Sequence, residues 1–132
     1  MAEQQRELKF RRMPRRFAIC RLPPDASVPD WADKGLFTSI TRTAEELSIV
    51  CLIDQVPQPY RPEIPWVCLK LEGPFPFSEV GILASVVGPL AESKVPVFAV
   101  STYDTDYVFV QENYVEKAIS VLLDAGHQLI SN

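Results

Sequence analysis

Residues 95–130 read VPVFAVSTYDTDYVFVQENYVEKAISVLLDAGHQLI, and the change of periodicity inside this stretch decides the fold. Val95–Val100 has the composition of a fully buried strand, Tyr103–Asp106 that of a tight turn, and Tyr107–Val110 that of a second strand with Val108 and Val110 on one face. So short a connection makes the pair an antiparallel hairpin. The period then shifts from two to 3.6: Val115, Ala118, Ile119 and Leu122 form one helical stripe. Asn113 with Glu116 matches a capping box, and Gly126 is a stop signal. His127–Ile130 is long enough for a closing strand.

Moving upstream, Pro65–Leu71 alternates Val67, Leu69 and Leu71 with Cys68 and Lys70 and ends at Gly73-Pro74, which predicts another strand. Ser78 is a candidate N-cap, Glu79 complements the positive helix start, and Val80, Leu83, Ala84 and Val87 follow at helical spacing. Gly88-Pro89 bends that helix or ends it early. Residues 65–131 therefore predict β-α-β-β-α-β, the ferredoxin-like α+β arrangement with two helices on one sheet face.

The first half is strand-rich. Glu7–Phe10 and Phe17–Leu22 flank Pro14, Phe37–Thr41 and Leu47–Ile53 flank a turn at Thr43–Glu46, and only Val28–Lys34, before Gly35, suits a helical turn. Four prolines within Gln55–Pro65 mark a linker, so the predicted division is 1–58 and 59–132.

The 132 residues suit one domain or two very small ones, and 47% hydrophobic with 23% charged residues implies a packed core. No stretch of about 18 apolar residues exists for a membrane helix and the N-terminus lacks a signal peptide, so a cytoplasmic protein with no membrane partner is expected. Cys20, Cys51 and Cys68 are widely spaced in apolar runs, as buried free thiols are. Net charge is −4, yet Arg6, Lys9, Arg11, Arg12, Arg15 and Arg16 face only Glu3 and Glu7 within residues 1–16. That basic stretch reads as an edge strand guarded against aggregation rather than as a nucleic-acid arm, because the body behind it is acidic.

Catalysis is not expected. The one histidine, His127, follows a helix end and reads as a surface residue; there is no GxSxG, HExxH, CxxC or phosphate-cradling glycine loop, and no cofactor or metal site is implied.

Phe77-Ser78-Glu79-Val80-Gly81-Ile82-Leu83-Ala84, together with Ser101-Thr102-Tyr103-Asp104-Thr105-Asp106-Tyr107, resembles the ACT domains of small tandem bacterial proteins. The resemblance covers residues 62–125 and implies that residues 8–55 form a second, degenerate ACT-like unit. It further implies a regulatory protein, a homodimer, that binds a small molecule such as an amino acid. Ligand contacts would come from Ser78, Glu79, Val80, Gly81 and Ile82 in the strand–helix loop and from Thr102, Tyr103, Asp104 and Asp106 at the hairpin. The residues make chemical sense of this: free N–H groups of a first helical turn favour a carboxylate, and Asp104, Asp106 and Glu79 can receive a cationic group. The same residues are also ordinary helix-start and turn residues. A ligand-free interaction or dimerisation module, with Trp31, Trp66 or Phe75 exposed at its interface, is the alternative.

Overall fold

Seven strands and two α-helices form the described residues, 7–76 and 80–130 of a computed structural model. In chain order they are β1 (Lys9–Leu22), β2 (Thr38–Arg42), β3 (Leu47–Leu52), β4 (Trp66–Leu71), α1 (Ile82–Glu92), β5 (Phe98–Ser101), β6 (Asp106–Gln111), α2 (Val115–Asp124) and β7 (Gln128–Ile130). The chain divides into two compact units, residues 1–13 with 67–132, and residues 14–66.

In the helical unit the order β4-α1-β5-β6-α2-β7 agrees with the predicted β-α-β-β-α-β. The pairing departs from it, because the first segment of β1 lies between β7 and β4, giving β7-β1-β4-β6-β5. Lys9, Phe10 and Arg11 pair in parallel with Gln128, Leu129 and Ile130. The amide of Glu72 donates to the Lys9 carbonyl at 2.9 Å. The physical reason is apolar alternation: Leu8 and Phe10 are buried in the core that both helices cover, while Lys9 between them is exposed. The basic stretch is thus no edge strand. Pro14 also fails to split it; β1 runs through, and Pro14 falls between the residues paired with β7 and those paired with β3.

The core of this unit joins Val67, Leu69 and Leu71 of β4 with Val108 and Val110 of β6, Ile82, Val86 and Leu90 of α1, and Val115, Ala118 and Leu122 of α2. The buried stripe of α1 therefore differs from the expected one, and Val80 is exposed ahead of the helix. Gly81 is the N-cap, held at φ +82°, so the helix opens later than Ser78, which lies outside the described residues. Pro89 neither ends the helix nor shortens it: α1 continues to Glu92. α2 has the expected stripe and stops before Gly126 at φ +100°. The capping box is not formed, since Glu112–Tyr114 makes a 3₁₀ turn and Tyr114 becomes the N-cap. Strand β5 is only partly buried rather than fully so, because as the last strand it has one neighbour, β6.

The unit of residues 14–66 contains no α-helix. Phe17–Leu22 of β1 pairs antiparallel with β3, from Phe17 opposite Leu52 to Leu22 opposite Leu47, and β2 pairs with β3 on its other side. Ala18, Cys20, Leu47, Ile49, Cys51 and Val56 fill one core, and Phe17 meets Phe37 edge to face at 5.7 Å. Trp31 is half-buried, packing on this core and against Tyr60, and Trp66 and Phe75 are half-buried too, so none is the exposed anchor anticipated. Gly35 is required by its φ of +85°.

All three thiols are free and buried. Burial pushes the Cys68 thiol up to about 12 and, with Cys20 beside it, the Cys51 thiol up to about 11. At pH 8 the folded protein is expected to react with an aromatic disulfide reagent at least about a hundredfold more slowly than in 6 M guanidinium. Labelling kinetics followed by mass spectrometry check this, and one fast-reacting thiol in the native protein contradicts it.

Candidate functional site

The β5–β6 hairpin is shaped by its own threonines. The Thr102 amide donates to the Thr105 carbonyl at 2.8 Å, the Thr102 hydroxyl to the same oxygen at 3.1 Å, and the Thr105 amide to the Thr102 hydroxyl at 3.4 Å. Thr105 is buried, and its hydroxyl donates to the Leu71 carbonyl at 2.8 Å, tying the turn to the end of β4. The loop leaving β4 is tied in return, since the Phe75 amide donates to the Asp104 carbonyl at 2.9 Å. Gly73 permits that approach: a Cβ there would stand 2.9 Å from the Asp104 oxygen.

Between loop, hairpin and helix start lies a cavity of about 180 Å³. Phe75, Pro76 and Ile82 give it an apolar side, and hairpin residues 101–106 give it hydroxyls and two carboxylates. The volume is well above what one water needs and below the roughly 300 Å³ at which drug-sized sites begin, the scale of a small metabolite. Among the described residues no basic side chain lines it. The Ser101 hydroxyl donates to the Asp106 carboxylate, which is half-buried, whereas Asp104 is exposed. Beside the hairpin, burial raises Tyr107, with Cys68, Asp104 and Glu72 adding to the shift. Arg11 holds Glu72 below the usual carboxylate range through hydrogen bonds of 3.2 and 3.3 Å.

Of the residues anticipated from sequence, Ile82, Thr102, Tyr103, Asp104 and Asp106 line this cavity together. Val80 and Gly81 do not line it; Gly81 is needed for its positive φ, and a Cβ there would meet nothing within 4 Å. Ser78 and Glu79 lie outside the described residues. Sequence reasoning missed Phe75, Pro76, Ser101 and Thr105. The apolar pair next to Gly73-Pro74 and the threonine between two aspartates were the available signals.

Elsewhere, Arg12 faces Glu116 at 3.9 Å and Arg15 faces Asp54 at 3.1 Å, so these arginines of the basic stretch are ion-paired along β1 rather than displayed on an arm. Among the described residues there is no group of three metal-ligating side chains, and no helix is long and apolar enough to cross a membrane. His127 is buried, not a surface residue.

An antiparallel hairpin and two helices on one sheet, with a small cavity where the first helix starts, define a small α+β module. A family model of the ACT domain matches residues 62–124, and a second model, of an N-terminal domain, matches residues 15–59. Residues 62–124 belong to the ACT-domain family. Its sequence is 34% identical over 58 residues to the cytosolic arginine sensor for mTORC1 subunit 1 of Homo sapiens and of Bos taurus, a match covering 43% of this chain and 18% of the sensor. Among solved structures, a protein of Agrobacterium tumefaciens is 44% identical, with a TM-score of 0.88 over 96% of this chain and 95% of that one. The fold is also shared, at 12% identity and a TM-score of 0.60, with an allosteric aspartate kinase of Clostridium acetobutylicum, covering 88% of this chain and 33% of the kinase.

The hydroxyl of Thr105 is expected to matter more than its bulk. Thr105→Val leaves the Leu71 carbonyl without its donor and should cost about 1–3 kcal/mol in urea unfolding, while Thr105→Ser should lose about half of that or less. Equal losses in the two variants would show that packing, not the hydrogen bond, holds the hairpin.

Proposed function

We propose that this protein is a non-catalytic regulatory module that binds a free amino acid in the cavity between the loop after β4, the first turn of α1 and the β5–β6 hairpin. The observation that carries the reading is the composition of that cavity: two carboxylates, hydroxyls and an apolar wall, beside a helix start with a glycine, Gly81, at its N-cap. N–H groups of a first helical turn donate to a carboxylate, and Asp104 and Asp106 accept from an ammonium or guanidinium group. The names of two relatives, an arginine sensor and an allosteric enzyme of amino-acid production, agree with this ligand class.

In this reading the strand-rich part of residues 1–58 is a degenerate ACT-like unit, residues 59–132 joined by the first segment of β1 are an ACT domain, and two copies of the chain form a cytoplasmic homodimer. The competing reading, a ligand-free interaction module, draws support from β5, the last strand in its sheet, whose outer edge can pair with another chain.

A thermal-shift screen against the twenty amino acids separates the two. A ligand present at about a hundred times its Kd adds about 2.7 kcal/mol, several degrees of Tm at this size. The shift should shrink in Asp106→Ala and in Asp104→Asn, whose folding is checked by circular dichroism. A flat screen, combined with a Tm that rises with protein concentration, would favour the interaction module.

A further inference from the structure

Pro89 lies inside α1, where its ring nitrogen has no hydrogen to return to the carbonyl four residues earlier, that of Ser85. That carbonyl is bonded all the same. Nε2 of His127, from the turn after α2, lies 2.8 Å from the Ser85 oxygen. The other ring nitrogen, Nδ1, accepts the Leu8 amide at 3.1 Å. Because Nδ1 is the acceptor, the proton is on Nε2, and Nε2 donates to Ser85. The ring is 4% exposed, so water is not a ready substitute for either bond.

We propose that His127 is a positioning residue that stands in for the backbone donor Pro89 lacks, and thereby holds the opening turns of α1 against the start of β1. Ser85 carries the constraint forward: its amide donates to the Gly81 carbonyl at 2.9 Å and its hydroxyl to the Ile82 carbonyl at 2.7 Å. Ile82 lines the cavity, so the same chain of bonds fixes where that wall stands. The sequence pairs a helix-breaking proline with a histidine that repairs the break from 38 residues away. A proline kept inside a helix in this way leaves the Ser85 carbonyl available to the turn after α2, where an ordinary helical residue would occupy it from within.

A double-mutant cycle in the full chain tests the substitution. His127→Phe keeps the ring bulk, orphans two buried groups and should lower the folded-to-unfolded ratio about a hundredfold. In Pro89→Ala the new amide can reach Ser85, so adding His127→Phe there should cost about tenfold less. Amide exchange separates a local role from a global one: His127→Phe should speed exchange at Ser85 more than at Phe109, and Pro89→Ala should restore part of the loss. If His127→Phe does not fold, nitrogen NMR of the unaltered protein decides, because the proposal requires a protonated Nε2 and an unprotonated Nδ1 on His127. An additive cycle, uniform acceleration of exchange, or the opposite tautomer would each overturn it.

Discussion

The short closing strand is the constraint on which the helical unit depends. β7 is three residues long, Gln128–Ile130, and its partner is the beginning of the chain rather than β4. Three residues in parallel register supply few ladder bonds, so the pairing relies on what lies to either side of it. Phe10 and Leu8 enter the core there, the Gln128 amide donates to the Leu8 carbonyl at 2.9 Å, and His127 takes the Leu8 amide. Both backbone groups of Leu8 are thus satisfied from the turn that follows α2. The position of β1 then sets that of β4, through the bond from Glu72 to Lys9, and the end of β4 carries the loop that walls the cavity.

What could be read from the sequence was what is local. The hairpin and α2 were legible because their periods, turn residues and glycine stop all lie within a few residues of one another. The insertion of β1 beside β7 was not, since pairing across almost the whole chain leaves no mark in either segment beyond alternation. Pro14 argued for two strands, but it lies between the residues of β1 that pair with β7 and those that pair with β3. Pro89 argued against a continuous helix, and the compensating donor was too distant in sequence to be suspected. For α1 the apolar positions were visible but their phase was not, as helical spacing fits more than one face of so apolar a segment.

The site divides along the same line. The hairpin residues Thr102, Tyr103, Asp104 and Asp106 could be singled out because polar residues crowd a turn between two apolar strands. Thr105 escaped notice because its hydroxyl serves the end of β4, and a side chain directed inward cannot be told from one directed outward by composition alone. Phe75 and Pro76 escaped because an apolar pair in a loop has no periodicity to place it. The basic stretch shows the reverse error: a cluster of arginines looked like one feature, and the fold gives Arg11, Arg12 and Arg15 separate partners in Glu72, Glu116 and Asp54.

These assignments separate the parts that build the cavity from the parts that face into it. Its walls are set by backbone bonds, Phe75 to Asp104 and Thr102 to Thr105, and by the Thr105 hydroxyl on Leu71. The carboxylate of Asp104 takes part in none of these walls, for it is the residue's carbonyl that receives Phe75. Asp106 accepts from Ser101, itself an exposed residue of the same hairpin. A change of carboxylate would therefore alter charge in the cavity while leaving the bonds that shape it. The bonds that shape the cavity and the carboxylates that face into it thus belong to different groups of the same hairpin.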